Sequence, residues 1–184
     1  MRRVLLICAA VSISLALLCG ILYYILPFKV LLTLAISAGT TAYHFWMRLT
    51  VGTAIHALKH NRFNYRRRWF RPFPFEASLY RRLHVRQWKD KLPTYDPDIF
   101  STQTHSWDEI AQAMCQAEIV HEVIILLSFL PLFAARWFGA FGVFLITSLL
   151  AAGYDLLFVI LQRYNRPRVI RVALHQCASA KEKS

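Results

Sequence analysis

Acidic residues are scarce in this sequence, which has ten Asp and Glu against 22 Lys and Arg and a net charge of +12. In a soluble protein, such a cationic excess would suggest nucleic acid as the partner. Here the cations lie beside long apolar segments, so anionic lipid head groups or an anionic lipid substrate explain their placement better. We therefore expect membrane lipids as partners and no nucleic acid.

Several motifs of catalytic and metal-binding proteins are also absent. The sequence contains no GxSxG nucleophile elbow, no P-loop, and no histidine followed by aspartate five positions later, as in many soluble-headed glycerolipid acyltransferases. The four cysteines form no CxxC pair and no HExxH is present, so neither a disulfide framework nor a structural metal site is indicated. We expect no metal and no cofactor, and acyl transfer would require a different set of residues.

Charge is missing altogether between Val4 and Leu26, a run long enough to cross a membrane, which takes about 20 apolar residues. This first segment is either a retained helix or a signal peptide, and its length favours the retained helix. Three further apolar segments follow, at about residues 30–47, 119–135 and 138–161. The fold class is predicted to be an all-α membrane protein with about four transmembrane helices, arranged as two hairpins.

Composition divides the chain into four parts: a first transmembrane hairpin (residues 1–58), a basic cytoplasmic or interfacial section (59–106), a second transmembrane hairpin (107–168) and a basic tail (169–184), which is predicted to be partly disordered beyond Gln176. Prolines exclude one continuous helix from the basic section, although residues 76–91 could form an amphipathic surface helix. Ser106 and Glu109 have the spacing of a capping box, which predicts that a helix begins there. Pro167 is predicted to end the last helix.

Lysine and arginine are distributed unevenly along the chain. With four spans, the N-terminal arginines, eleven cations between Lys59 and Lys91, and six more after Leu161 share one face, and two cations remain for the other. The positive-inside rule then places both termini and the basic section in the cytoplasm. We therefore predict a multi-pass protein of the cell membrane, the bacterial plasma membrane, whose functional residues cluster at the cytoplasmic side.

Ionisable side chains inside the predicted spans mark a candidate site, because they are costly in lipid and by default functional. Six such residues lie toward the cytoplasmic halves of their segments: His44, Arg48, Glu118, His121, Glu122 and Asp155. Glu118, His121 and Glu122 have i, i+3 and i, i+4 spacings and so share one helix face. A carboxylate can orient an imidazole and stabilise its protonated form, so these three are predicted to be catalytic. Structural pairing between helices and metal binding are the alternatives.

The cytoplasmic end of the last span carries the arginine-rich run QRYNRPR, residues 162–168. Arginines at such a position can simply anchor the helix end by snorkelling. However, planar guanidinium groups recognise phosphate and carboxylate, and this run is denser than anchoring requires. The predicted substrate-binding residues are therefore His44, Arg48, Asp155, Arg163, Asn165, Arg166 and Arg168.

Three segments in order, VRQWKDKLPTYDPDIFS (residues 85–101), AEIVHE (117–122) and LQRYNRPR (161–168), resemble the glycosyl-4,4'-diaponeurosporenoate acyltransferase family. YHFWMRLTVG (residues 43–52) is similar to a further family element. The resemblance implies transfer of a fatty acyl group to a sugar hydroxyl of a glycosylated carotenoid acid, in carotenoid biosynthesis of the staphyloxanthin type. The acceptor is then a glycosylated lipid or carotenoid.

Under this hypothesis, His121, oriented by Glu118 or Glu122, deprotonates the acceptor hydroxyl. The arginines hold the phosphates of the fatty acyl donor or stabilise the developing oxyanion. The cationic face suits acyl-CoA and acyl-carrier protein equally as donors. The alternative function is a non-catalytic membrane scaffold subunit for lipid-modifying enzymes, which explains the basic surface but not the polar groups within a span.

Overall fold

The computed structural model of the protein describes residues 2–93 and 97–182. Helices follow one another in this part of the chain: α1 (Arg2–Ile25), α2 (Lys29–Lys59), α3 (Glu76–Arg82), α4 (Val85–Trp88), α5 (Trp107–Leu127), α6 (Ala135–Phe138) and α7 (Phe141–Glu182). Short 3₁₀ helices lie at Arg68–Phe70, Lys89–Lys91, Pro97–Phe100 and Leu130–Ala134. The described residues contain no β-strand, so the all-α prediction is confirmed.

Three described stretches are long and apolar enough to cross a membrane: Arg3–Ile25, Trp107–Phe138 and Phe141–Gln176. The predicted number of four spans is therefore wrong. The helix that does not qualify is α2, whose apolar residues are interrupted by serine, threonine, His44 and Arg48, which lower its mean hydropathy. The prediction of two cytoplasmic termini depended on an even number of membrane crossings, which brings both ends to one side. The described residues contain three candidate spans, which is an odd number.

Two helices continue further than predicted. α2 extends to Lys59, and α7 extends to Glu182 although Pro167 lies inside it. The predictions that Pro167 ends the last helix and that the tail is disordered beyond residue 176 are therefore wrong for the described residues. A proline inside a helix removes one backbone hydrogen bond and crowds the carbonyl four residues earlier, which commonly kinks or ends the helix. The helix persists because Arg163 and Arg166, in the preceding turn, are held by buried partners.

The described residues of the basic section, between α2 and α5, form turns and short helices. Residues 76–91 do not form one surface helix, because His84, with a positive φ of 50°, separates α3 from α4. At the end of the section, the predicted capping box is confirmed. The Ser106 N–H donates to Glu109 Oε2 at 2.8 Å, and the Glu109 N–H donates to Ser106 Oγ at 3.3 Å. α5 begins directly after Ser106.

Contacts divide the chain into two compact units. The first unit consists of Met1–Ala54 and Glu122–Leu156, and the second consists of Ile55–His121 and Leu157–Ser184. The first therefore contains α1 and most of α2. The second contains the basic section, the greater part of α5 and the C-terminal part of α7, and each unit has its own buried charged residues.

Candidate functional site

Two glutamates and two arginines occupy the interior of the second unit, and we call Glu76, Glu118, Arg163 and Arg166 the Glu–Arg cluster. Glu118, on α5, is fully buried, and its two oxygens accept hydrogen bonds from Arg163 Nη1 at 2.6 Å and from Arg166 Nη1. Glu76, at the start of α3, is also buried and accepts from Arg163 Nε at 2.7 Å. Two negative and two positive charges compensate each other there, as buried ionic groups require.

The same arginines bind the backbone of the basic section. Arg163 donates to the carbonyls of Trp69 at 3.2 Å and Arg71 at 3.0 Å. Arg166 donates to the carbonyl of Phe70 at 2.6 Å, and its guanidinium lies over the Phe70 ring at 5.0 Å from the centroid. Both arginines therefore direct most of their donor nitrogens to partners within the protein. Together they donate to three consecutive carbonyls of the basic section, those of residues 69–71.

Two tyrosines complete the edge of the Glu–Arg cluster. The Tyr80 hydroxyl donates to Glu76 Oε2 at 2.9 Å. Burial raises the pKa of Tyr80, and the bond to the Glu76 carboxylate raises it further, so the hydroxyl stays protonated. The Tyr80 ring packs edge-on against Tyr164, whose hydroxyl accepts from the exposed Arg168 at 3.0 Å. Arg168 thus extends the cluster to the surface, and Asn165 is half-buried on the same turn of α7.

His121 lies one turn after Glu118 on α5 and contacts an aromatic ring of α7. Its half-buried ring stacks on Phe158 of α7, with the centroids 4.7 Å apart and the planes inclined by 11°. Both oxygens of Glu118 are engaged by arginines, so the carboxylate that was predicted to orient His121 compensates guanidinium charge. Glu122 is half-buried and belongs to the first unit.

The first unit holds a second buried ion pair. Arg48 Nη2 donates to Asp155 Oδ2 and to the carbonyl of Ala151 at 3.3 Å, and Asp155 is 1% exposed. Arg48 Nη1 also donates to the carbonyl of His44 at 3.1 Å. The His44 ring is buried, and neither of its nitrogens has a hydrogen-bond partner among the described residues. Three of the predicted substrate-binding residues therefore come together within this unit.

These groups offer hydrogen bonds and proton transfer to a substrate. His121 is a half-buried imidazole stacked on Phe158, and His44 is a buried imidazole whose ring nitrogens have no hydrogen-bond partner among the described residues. Within residues 2–93 and 97–182, no group of three or more His, Cys, Asp or Glu side chains is placed to hold a metal ion.

Glu76 and the three carbonyls are the parts of the site that the sequence prediction misses. A signal for Glu76 is present, because it and Asp90 are the only acids among the eleven cations between Lys59 and Lys91. A carboxylate in a stretch with so few acids indicates a specific cationic partner. The carbonyls carry no such signal, since their direction depends on the conformation of the backbone.

The site residues of the second unit lie in a region shared with known proteins. A profile of the glycosyl-4,4'-diaponeurosporenoate acyltransferase family matches residues 66–175. This region contains the whole Glu–Arg cluster together with His121 and Asp155, whereas His44 and Arg48 precede it. A search of curated proteins found no match, and a search of solved structures found none either. Since the matched region covers more than half of the 184 residues, the chain belongs to the glycosyl-4,4'-diaponeurosporenoate acyltransferase family.

Proposed function

We propose that this protein is a membrane-bound acyltransferase, which esterifies a sugar hydroxyl of a glycosylated carotenoid acid with a fatty acyl group. Family membership supports the reaction class. The observation that carries a site in this chain is the position of His121, a half-buried imidazole one helical turn after a fully buried, charge-compensated carboxylate. Both residues lie inside the matched region.

His121 is proposed as the general base. It accepts the proton of the sugar hydroxyl, whose oxygen attacks the thioester carbonyl of the acyl donor and forms a C–O bond. The tetrahedral intermediate collapses with cleavage of the C–S bond, and the departing thiolate takes the proton from the imidazolium. The products are the sugar ester and the free thiol, and His121 is neutral again. Stacking on Phe158 holds the ring in one plane during both proton transfers.

The Glu–Arg cluster is proposed to position the site and not to react. Its glutamates fix Arg163 and Arg166, which in turn fix the backbone of the basic section. Such preorganisation keeps the catalytic geometry intact when water is excluded. Arg168 and Asn165, at the edge of the cluster, are proposed to contact substrate.

Two predicted groups keep separate proposed roles. Glu122, next to His121 in sequence, is proposed to stabilise the imidazolium electrostatically. In the first unit, His44, supported by Arg48 and Asp155, is proposed to hydrogen-bond a hydroxyl or carboxyl group of a lipid substrate, because its ring nitrogens have no described partner. A buried imidazole without a partner is costly, and a polar substrate group would satisfy it.

The reaction is proposed to take place at the cytoplasmic side of the cell membrane. The donor, acyl-CoA or acyl-carrier protein, is soluble and anionic, and the basic section and tail provide the complementary charge. The apolar part of the acceptor would lie in the lipid beside the spans, with its sugar at the depth of the head groups.

Membranes containing the protein test this proposal when they are incubated with an acyl thioester and a glycosylated carotenoid acid, and the lipids are analysed by mass spectrometry. His121→Gln should lower the rate of ester formation by about 10²- to 10⁴-fold, the usual contribution of a general base. His175→Gln is the matched control, because His175 is exposed on α7, and it should retain the wild-type rate.

Full activity of a stably folded His121→Gln protein would remove the role assigned to that residue. Absence of any ester from purified wild-type protein, together with co-purification of a stoichiometric enzyme partner, would favour the scaffold function instead. The two results are separable, because the first is measured on the variant and the second on the wild type.

A further inference from the structure

A surface cleft in the second unit has no part in the reaction described above. It has a volume of about 510 Å³ and lies between the chain that follows α2 and the first turns of α5. Its lining consists of Arg62, Phe63, Asn64, Tyr65, Arg66, Asp108 and Gln112. This volume falls within the range of small-molecule and cofactor sites, roughly 300–1,000 Å³.

The arginines of the cleft differ from those of the Glu–Arg cluster in being available to a ligand. Arg62 and Arg66 are both exposed, and within residues 2–93 and 97–182 no ion pair engages either guanidinium. Arg163 and Arg166, which were predicted to hold the donor's phosphates or to stabilise the oxyanion, direct donors to glutamates and carbonyls of the protein. Arg62 and Arg66 are therefore free of the ion pairs that occupy Arg163 and Arg166.

The single acid of the cleft does not compete for these arginines. Asp108 Oδ1 accepts from the Tyr65 hydroxyl at 2.8 Å, and Asp108 Oδ2 accepts from Gln112 Nε2 at 2.7 Å. Burial and the hydrogen bond to Asp108 raise the pKa of Tyr65, and the neighbouring Arg66 guanidinium opposes this rise without cancelling it, so the hydroxyl stays a donor. Both carboxylate oxygens are thus occupied by neutral groups, and the arginines on the rim keep their charge for a ligand.

We propose that this cleft binds the phosphate of the phosphopantetheine arm that carries the acyl thioester, an inference that rests on the proposed function. A guanidinium group presents paired N–H donors that match phosphate oxygens, and two of them make a charge-assisted site. Coenzyme A and acyl-carrier protein carry the same arm, so either source presents this phosphate.

The spacing along α5 agrees with this ligand. Asp108 and Gln112 precede His121 by 13 and 9 residues, which correspond to roughly 14–20 Å along a helix axis. A phosphate that far from the reacting carbonyl requires a long, extended linker, and the pantetheine chain is one. The cleft is also connected to the Glu–Arg cluster by direct contacts. Phe63, in its lining, packs edge-on against Phe70, and the Phe70 carbonyl accepts a hydrogen bond from Arg166.

Calorimetric titration of the purified full-length protein in detergent tests the site without an acyl acceptor. The probes are coenzyme A, 4'-phosphopantetheine and adenosine 3',5'-bisphosphate. The double variant R62Q/R66Q should bind 4'-phosphopantetheine at least about tenfold more weakly than the wild type, because it lacks both charged donors. R81Q/R82Q is the matched control, since it removes the same charge from exposed positions on α3, and it should bind like the wild type.

Unchanged binding by R62Q/R66Q, or no binding of 4'-phosphopantetheine by the wild type, would overturn the assignment. The nucleotide probe separates the two sources: competition by adenosine 3',5'-bisphosphate indicates coenzyme A, and binding of the pantetheine arm alone indicates a carrier protein. Both results support a phosphate site.

Acyl transfer assays separate this inference from the proposed function. In R62Q/R66Q, the KM for the acyl donor should rise at least about tenfold while kcat is retained, because the substitutions do not touch the reacting groups. If the wild type binds the probes through Arg62 and Arg66 but transfers no acyl group, the proposed function fails and the cleft assignment stands. If acyl transfer proceeds with an unchanged KM in the variant, the cleft assignment fails and the function stands.

Discussion

Glu118 is the residue on which the charge balance of the second unit depends. Its side chain is fully buried and compensates Arg163 and Arg166 together. Removing one partner of a buried ion pair leaves an uncompensated charge, which costs about 3–5 kcal/mol. Glu118→Gln, which keeps the shape and removes the charge, should therefore lower the free energy of unfolding by about that amount, measured by chemical denaturation in detergent.

Asp90→Asn provides the matched comparison for Glu118→Gln. Asp90 also pairs with a cation, Lys89, but its side chain is 78% exposed. Ion pairs in contact with water contribute about 0–1 kcal/mol, so this variant should unfold almost like the wild type. Equal losses of stability in the two variants would contradict the proposal that Glu118 compensates the charges of two buried arginines.

The sequence reveals that Glu118 is special but not what it binds. Its place within an apolar segment marks it as costly and therefore as paired. The spacing rule, however, reports neighbours on the same helix, and so it selected His121 and Glu122. The actual cationic partners lie 45 and 48 residues further along the chain, and only tertiary packing brings them to it.

Among the elements, α7 shows the limit of local rules most clearly. Pro167 is a helix breaker by propensity, yet α7 passes through it. Propensity is a weak prior that tertiary contacts override. The contacts of Arg166, the residue directly before the proline, supply that override, because its guanidinium is fixed by Glu118 and by the Phe70 carbonyl. By contrast, the start of α5 was predictable, since a capping box is local.

The contact between α7 and the basic section predicts a change in protease sensitivity. Arg166→Lys keeps the charge but replaces a two-armed donor with a single ammonium, which cannot hold Glu118 and the Phe70 carbonyl in the same geometry. The segment around Trp69 should then open more often. Trypsin cleavage after the exposed Arg67 and Arg68, followed by gel electrophoresis, should become about tenfold faster.

Arg171→Lys is the control for this experiment, because Arg171 is exposed on the same helix and makes only a 3.4 Å contact with the carbonyl of Pro167. It should be cleaved at the wild-type rate. An unchanged rate in Arg166→Lys would mean that the arginine–carbonyl bonds do not limit opening of this segment.

At the level of the whole molecule, hydropathy predicts that this is an α-helical membrane protein. The distribution of charge does not give the number of spans. Long apolar runs identify α1, α5 and α7 as parts of candidate spans. In lipid, such a run must be helical, because a helix pairs its backbone N–H and C=O groups within the segment. α2 was predicted to be a fourth span because the residues of its N-terminal half are mostly apolar. Its polar positions include His44, whose ring is buried, and Arg48, which pairs with Asp155 within the first unit. These polar residues lower the hydropathy of α2, so that it does not qualify as a span.

One consequence for orientation does not depend on α2. The basic section and the tail are separated by two candidate spans, Trp107–Phe138 and Phe141–Gln176, so they should share one membrane face. The positive-inside rule predicts from their cations that this face is cytoplasmic. In a variant whose native cysteines are replaced by alanine, an impermeant maleimide should label Trp137→Cys in intact cells and should label Lys91→Cys only after lysis. Both side chains are exposed, and labelling of Lys91→Cys in intact cells would reverse the proposed orientation.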